Sequence, residues 1–149
     1  MKTADYRKKL KQARERKGWS IHEAATQIEG ASITSRNSYY DIEQCDGEIT
    51  SNCSLSEISR ICNLLNIRPR DLFCDKTSPE LTIEEVVAKI NEHCAKNKIP
   101  ISQFEDTIGW RVESCLSNPK TALEEWNFDC LKDICEELGI DWQQVISNL

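Results

Sequence analysis

The 149-residue chain has no apolar run near the ~18 residues a membrane span requires, and it holds only 5 glycines and 2 histidines, His22 and His93. It shows no Gly-rich phosphate loop and no nucleophile arrangement of His, Cys and carboxylate. No enzymatic activity and no cofactor are therefore expected. The opening, Met-Lys-Thr-Ala-Asp-Tyr-Arg-Lys-Lys, turns charged at once and leaves no room for a signal-peptide apolar region. Alternating runs of strand length are missing as well. These absences leave a soluble, cytoplasmic, all-α protein as the expectation. With 39% apolar and 30% charged residues, the chain has enough Leu and Ile for a folded core.

Cysteine, by contrast, is plentiful: Cys45, Cys53, Cys62, Cys74, Cys94, Cys115, Cys130 and Cys135. No two have CxxC spacing, and zinc sites usually show such close ligand pairs, so no metal is expected. A reducing compartment keeps these residues as thiols. Several fall on apolar helix positions, where a free Cys serves as a small hydrophobe.

The net charge of −6 averages two unlike halves. Residues 1–75 carry 12 basic and 11 acidic side chains, whereas residues 76–149 carry 7 and 14. Within residues 1–20 eight basic groups (Lys2, Arg7, Lys8, Lys9, Lys11, Arg14, Arg16, Lys17) face only Asp5 and Glu15. A basic end on an acidic body fits a phosphate-rich partner, and equally a solvated helix face.

Apolar spacing is helical throughout. Tyr6, Leu10 and Ala13 line one face of a first helix that should stop near Gly18. Ser20 is a good N-cap for a second helix, with Glu23 completing a capping box and Ala24, Ala25 and Ile28 facing inward. Glu29-Gly30-Ala31-Ser32 reads as a turn. Thr34 or Ser35 can cap a third helix running to about Cys45, with Tyr39 and Ile42 inward, before Asp46-Gly47 breaks the chain. The polar, Pro-containing stretch after Asp75 marks a linker, residues 76–82, between a first unit (1–75) and a second (83–149). Four or five short helices are expected in each.

The two halves repeat. Shifting LSEISRICNLLNIRPRDLF (55–73) by 73 lays it on FDCLKDICEELGIDWQQVI (128–146). The shift pairs Leu55/Phe128, Ile58/Leu131, Ile61/Ile134, Cys62/Cys135, Leu65/Leu138, Ile67/Ile140, Leu72/Val145 and Phe73/Ile146. The first five pairs form one helical stripe, which ends near Asn66 or Gly139, residue types favoured just past a helix end. A shared pattern that includes the terminal tail points to a duplicated unit.

Residues 10–73 resemble the lambda-repressor-like helix-turn-helix family, the Cro/repressor or XRE type. The carrying residues are Leu10, Ala13 and Arg14 before Lys17-Gly18-Trp19-Ser20, then Glu23-Ala24-Ala25 and Ile28, then Tyr39, Ile42 and Glu43, and finally Leu55 to Phe73. Three departures stand out. About four extra residues follow Ile28, a small insertion separates Glu43 from Gly47, and Ile21 stands where the family usually offers Gln. Residues 83–146 fit the pattern as a degenerate copy: Val87, Ile90, Cys94 and Ala95 for its first helix, Ile101-Ser102-Gln103 opening the second, an Ile108-Gly109-Trp110 turn, and a stubby third helix from Val112 to Leu116 ended by Asn118-Pro119.

The resemblance implies tandem small helical bundles and a transcriptional regulator. It places the third helix of the first unit in the major groove of double-stranded DNA. Candidate base contacts are Ser35, Arg36, Asn37, Ser38 and Tyr40, with Arg36 suited to guanine and Asn37 to adenine, each pairing worth roughly 1–3 kcal/mol of discrimination. Ser20, His22 and the first amides of the second helix would meet phosphate. Lys8, Lys9, Lys11 and Lys17 would neutralise flanking phosphates, while Asp41 opposes them. In the second unit Arg111 is the one base-compatible cation, beside Glu113, in an acidic surrounding. That unit is expected to pack against something other than DNA, either as a homodimer element (residues 83–149) or on the first unit of its own chain. The rival expectation is a protein-interaction module that has lost base reading, its basic first helix meeting an acidic protein partner.

Overall fold

The computed structural model describes residues 3–29, 38–74 and 79–149. Among them there are twelve helices and no strand, an all-α protein. The helices are α1 (Thr3–Arg16), α2 (Ile21–Glu29), α3 (Tyr39–Gln44), α4 (Glu48–Asn52), α5 (Leu55–Leu64), α6 (Pro69–Phe73), α7 (Ile83–Asn97), α8 (Ile101–Ile108), α9 (Glu113–Ser117), α10 (Thr121–Glu125), α11 (Phe128–Leu138) and α12 (Trp142–Ile146). None of the described helices is long and apolar enough to cross a membrane.

Local sequence explains most of the helix ends. Ser54 and Glu57 exchange hydrogen bonds at the start of α5, as do Thr82 and Glu85 at α7, each pair satisfying two amides that the helix leaves without partners. The Ser20 hydroxyl accepts from Glu23 N at 3.1 Å, and Asn127 Oδ1 accepts from Cys130 N at 2.8 Å. Left-handed residues close several helices: Gly18 (φ 74°) after α1, Asn66 (57°) after α5, Lys98 (53°) after α7 and Gly139 (70°) after α11.

The helices run in two series of six that correspond position by position. An offset of 80 relates the first two helices of each series: Trp19 N donates to Arg14 O as Ile99 N donates to Cys94 O, and left-handed Gly18 matches left-handed Lys98. From Tyr39 and Val112 onward the offset is 73 and buried residues coincide: Ile42 with Cys115, Ile49 with Ala122, Cys53 with Trp126, and Leu55 with Phe128. Ile67 N to Cys62 O matches Ile140 N to Cys135 O. The change of offset means that the first series carries seven more residues between its second and third helices, around residues 30–37, which lie outside the described part.

The buried side chains of both series make one contiguous core. An aromatic row threads it, with Tyr6 5.6 Å from Phe73, Phe73 stacked on Phe128 at 4.7 Å, and Phe128 edge-on to Trp142 at 5.1 Å. Leu81 N donates to Gln144 O at 3.0 Å and Thr82 caps α7, so the end of the expected linker belongs to the folded body.

Several sequence expectations are corrected. Among the described residues each series has six helices rather than four or five, because α4 and α10, five residues each, are too short to display a helical period. The third helix as described begins at Tyr39, and Thr34 and Ser35, its expected caps, lie outside the described residues. Ser38 holds the N-cap position with extended backbone but its side chain makes no cap hydrogen bond, and the Glu29 carboxylate takes the first amide of α3, Tyr39 N–H, at 3.1 Å. Ala95 is exposed, since the buried stripe of α7 runs Ile83, Val86, Val87 and Ile90 toward half-buried Cys94, leaving Ala95 a step around the helix. Cys53, Cys62, Cys115, Cys130 and Cys135 are buried, while Cys45 is exposed. Burial pushes the thiols of Cys53, Cys62 and Cys135 up to about 12, which keeps them protonated and poor as ligands or nucleophiles.

Candidate nucleic-acid interface

The first series is organised around one guanidinium. Arg14 Nε donates to Glu43 Oε2 at 2.9 Å and to Oε1 at 3.2 Å, its Nη2 donates to Oε1 at 2.8 Å, and its Nη1 donates to the Trp19 carbonyl at 2.9 Å. Arg14 is 9% exposed and Glu43 4%. One side chain thus ties α1, the turn into α2, and α3 together. The planar fork of Arg suits such a bidentate grip, which Lys cannot reproduce. A second arginine, Arg7, donates from Nη1 to Gln44 O at 2.7 Å, placing positive charge at the carbonyl end of α3. Tyr6 completes the frame: its buried hydroxyl accepts from Gly47 N at 2.9 Å and donates to Asp46, and burial raises its phenol pKa. Sequence patterning foresaw neither the Arg7 contact nor the pairing of Arg14 with Glu43, because the partners lie 37 and 29 residues away.

These contacts fix the orientation of α3. Its inner face, Tyr39, Ile42 and Glu43, is buried, so Tyr40 faces out and is 55% exposed. Among the described residues no other large apolar side chain is so exposed. The charges around α3 are mixed. Glu29 sits at its N-terminus and half-buried Asp41 lies in its first turn, and both would repel a phosphate there.

The remaining candidate residues are placed as follows. Ser20 and His22 are exposed at the start of α2, where the Ser20 hydroxyl is already engaged with Glu23 N. Ile21 is half-buried and packed against the core, which explains an apolar residue at that position. Lys8 and Lys11 are exposed one helical turn apart on α1, whereas Lys9 is half-buried. Lys17, also half-buried, holds its Nζ 4.8 Å from the centre of the Trp19 ring. Ser38 is half-buried ahead of α3. Ser35, Arg36 and Asn37 lie outside the described residues. Of the described candidates, Lys8, Lys11, Ser20, His22 and Tyr40 are thus exposed, whereas Lys9, Lys17 and Ser38 are half-buried.

The matching region of the second series is built differently. Cys94 and Leu116 stand where Arg14 and Glu43 stand, both packed against the core. The buried Glu105 carboxylate accepts from Val112 N at 2.7 Å and Glu113 N at 3.2 Å, so a negative charge closes the N-terminus of α9. Arg111, with a 91% exposed side chain, lies 3.8 Å from that same carboxylate.

Comparison of the chain with protein-family models, with curated proteins and with solved structures finds no match. The functional reading therefore rests on the residues themselves.

Proposed function

We propose that the chain is a sequence-specific DNA-binding transcriptional regulator in which α3 of the first, helix-turn-helix-type bundle enters the major groove. The observation that carries this reading is the Arg14–Glu43–Trp19 tie, which joins α1, the turn into α2 and α3 and leaves Tyr40 outward. A helix that reads bases must be held by its other face. The exposed Lys8 and Lys11, the α2 start at Ser20 and His22, and Lys17 supply the phosphate contacts, while Arg36, Asn37, Ser38 and Tyr40 supply the base contacts.

The test is selection of the reduced protein against a random double-stranded DNA pool at two salt concentrations. The expected result is a motif whose affinity falls steeply with salt. Arg36→Ala with Asn37→Ala should abolish the sequence preference, and Tyr40→Ala should weaken it. Retention without a motif would reduce the role of the basic helix to general phosphate attraction.

One observation favours the second reading, a protein-interaction module. Glu29 and Asp41 put two carboxylates at the end of α3 that should meet DNA. Absence of DNA binding at low salt would establish that reading over the first.

A further inference from the structure

The contacts between the two series obey a rule that neither series shows alone. Residues 73 apart in sequence meet each other: Ser54 pairs with Asn127 in an isolated antiparallel bridge, and Cys74 Sγ lies 3.8 Å from Ser147 Oγ. Other contacts come in mirrored pairs. Ser51 donates to Asp129 at 2.7 Å and Ser56 donates to Glu124 at 2.7 Å, and adding 73 to one member of each pair while subtracting it from the other interchanges the two bonds. Whole elements follow suit: α5 packs on α10 as α11 packs on α4, and α6 packs on its own counterpart, α12. When contact i–j is accompanied by its image, the interface is isologous, the signature of a two-fold pair.

We propose that the chain is a pseudo-dimer closed on itself, its second half filling the face on the first that a second copy would use, so that it reads a non-palindromic DNA duplex as a monomer. This rests on the DNA-binding reading above. A two-fold interface is self-complementary and is consumed once formed, so pairing within the chain leaves no copy of it for another chain. The pseudo-dyad relates α3 to α9, as two reading helices are related in a symmetric dimer on a palindromic site. The two helices differ in what they offer, however. Both N-termini meet a carboxylate, but at α9 that carboxylate is the buried Glu105, which takes two amides. Glu113 stands where the exposed Tyr40 stands in α3, and the lone cation Arg111 faces Glu105. Only one half can read bases, and the target has one half-site.

The pairing is tested without DNA. In the full-length Ser147→Cys variant, oxidation by copper phenanthroline and air should join the introduced thiol to Cys74, the two thiols losing their protons and two electrons to oxygen. Cross-linking within the chain leaves seven of nine thiols (eight native, one added) and a mass of 17.1 kDa on a non-reducing gel. Cys74→Ala in the same background should prevent it. A species of about 34 kDa, twice 17.1 kDa, that needs both sulfurs would overturn the proposal.

Selection from the random pool and light scattering of the complex test the rest. One unrepeated motif, bound by one chain per duplex and unaltered within about twofold by Arg111→Ala, supports it. An inverted repeat at about one helical turn, bound by two chains, overturns the proposal but leaves the DNA reading standing. A 17.1 kDa chain that selects no motif overturns the DNA reading, and the proposed target falls with it.

Discussion

Removal of the Glu43 carboxylate would strike the most heavily used contact in the first series. The Arg14 guanidinium makes three N–H···O contacts to it within 3.2 Å, in a setting where both residues are less than a tenth exposed. Glu43→Ala leaves that cation buried without its counter-charge. Truncating one partner of a buried pair costs about 3–5 kcal/mol, a large part of the roughly 5–15 kcal/mol by which domains are stable. At about 2–4 °C per kcal/mol for a chain of this length, Tm should drop by roughly 6–20 °C.

The second series suggests the control, since Cys94 and Leu116 fill the matching positions without charge. Arg14→Met with Glu43→Leu removes both charges together, and apolar replacement of a buried pair is often close to neutral. The residual cost is the Trp19 carbonyl, which loses its donor at about 1–3 kcal/mol. The double variant should therefore be more stable than Glu43→Ala. Urea unfolding of Arg14→Met, Glu43→Leu and the double, followed by far-UV circular dichroism, yields the coupling energy, expected to exceed about 1 kcal/mol. Additive losses, or a Glu43→Ala loss below about 1 kcal/mol, would refute the argument that this pair holds α3.

Lys98 occupies a left-handed conformation at φ 53°, so Lys98→Gly should raise stability by about 0.5–1 kcal/mol in the same unfolding assay; a loss would mean the Lys98 side chain stabilises the turn. Phe73→Ala should cost about 3–5 kcal/mol. Because Phe73 stacks on Phe128 of the other series, hydrogen exchange should speed up in α11 as well as α5, and unchanged protection in α11 would show that the two cores are energetically separate. At pH 8 a thiol reagent should label exposed Cys45 rapidly and the five buried cysteines only on unfolding; rapid labelling of Cys62 would contradict its burial. The buried thiols also set an alkaline limit. Folding raises the pKa of Cys53, Cys62 and Cys135 from 9.0 to about 12, so the unfolded chain loses these protons first. The stabilisation is whole below pH 9 and is lost as pH climbs through about 12, so Tm should fall across that window. Replacing these three cysteines with Val should flatten the fall.

Much of the architecture is local in origin and legible from the chain alone. The apolar spacing of Tyr6, Leu10 and Ala13, or of Leu55, Ile58, Ile61 and Cys62, needs only 3.6 residues per turn to define a buried face. Ser20, Ser54 and Thr82 announce helix starts, and Gly18, Asn66 and Gly139 announce ends, because caps and left-handed closures act over three or four residues. The lysines of α1 were equally visible as candidate phosphate contacts. Of the base-contact candidates, Ser35, Arg36 and Asn37 lie outside the described residues, while the exposure of Tyr40 follows from the inward spacing of Tyr39 and Ile42.

The amino-acid sequence by itself determined an all-α chain, the registers of its longer helices and the inward placement of most of its cysteines, all consequences of short-range backbone geometry and apolar periodicity. Only the tertiary structure decided that Glu29 meets the first amide of α3, that Arg14 finds Glu43, and that Ser54 and Asn127 lie side by side. The physical reason is the same in each case. These partners are separated by 10, 29 and 73 residues, and which distant groups meet is settled by how the helices pack around their common core.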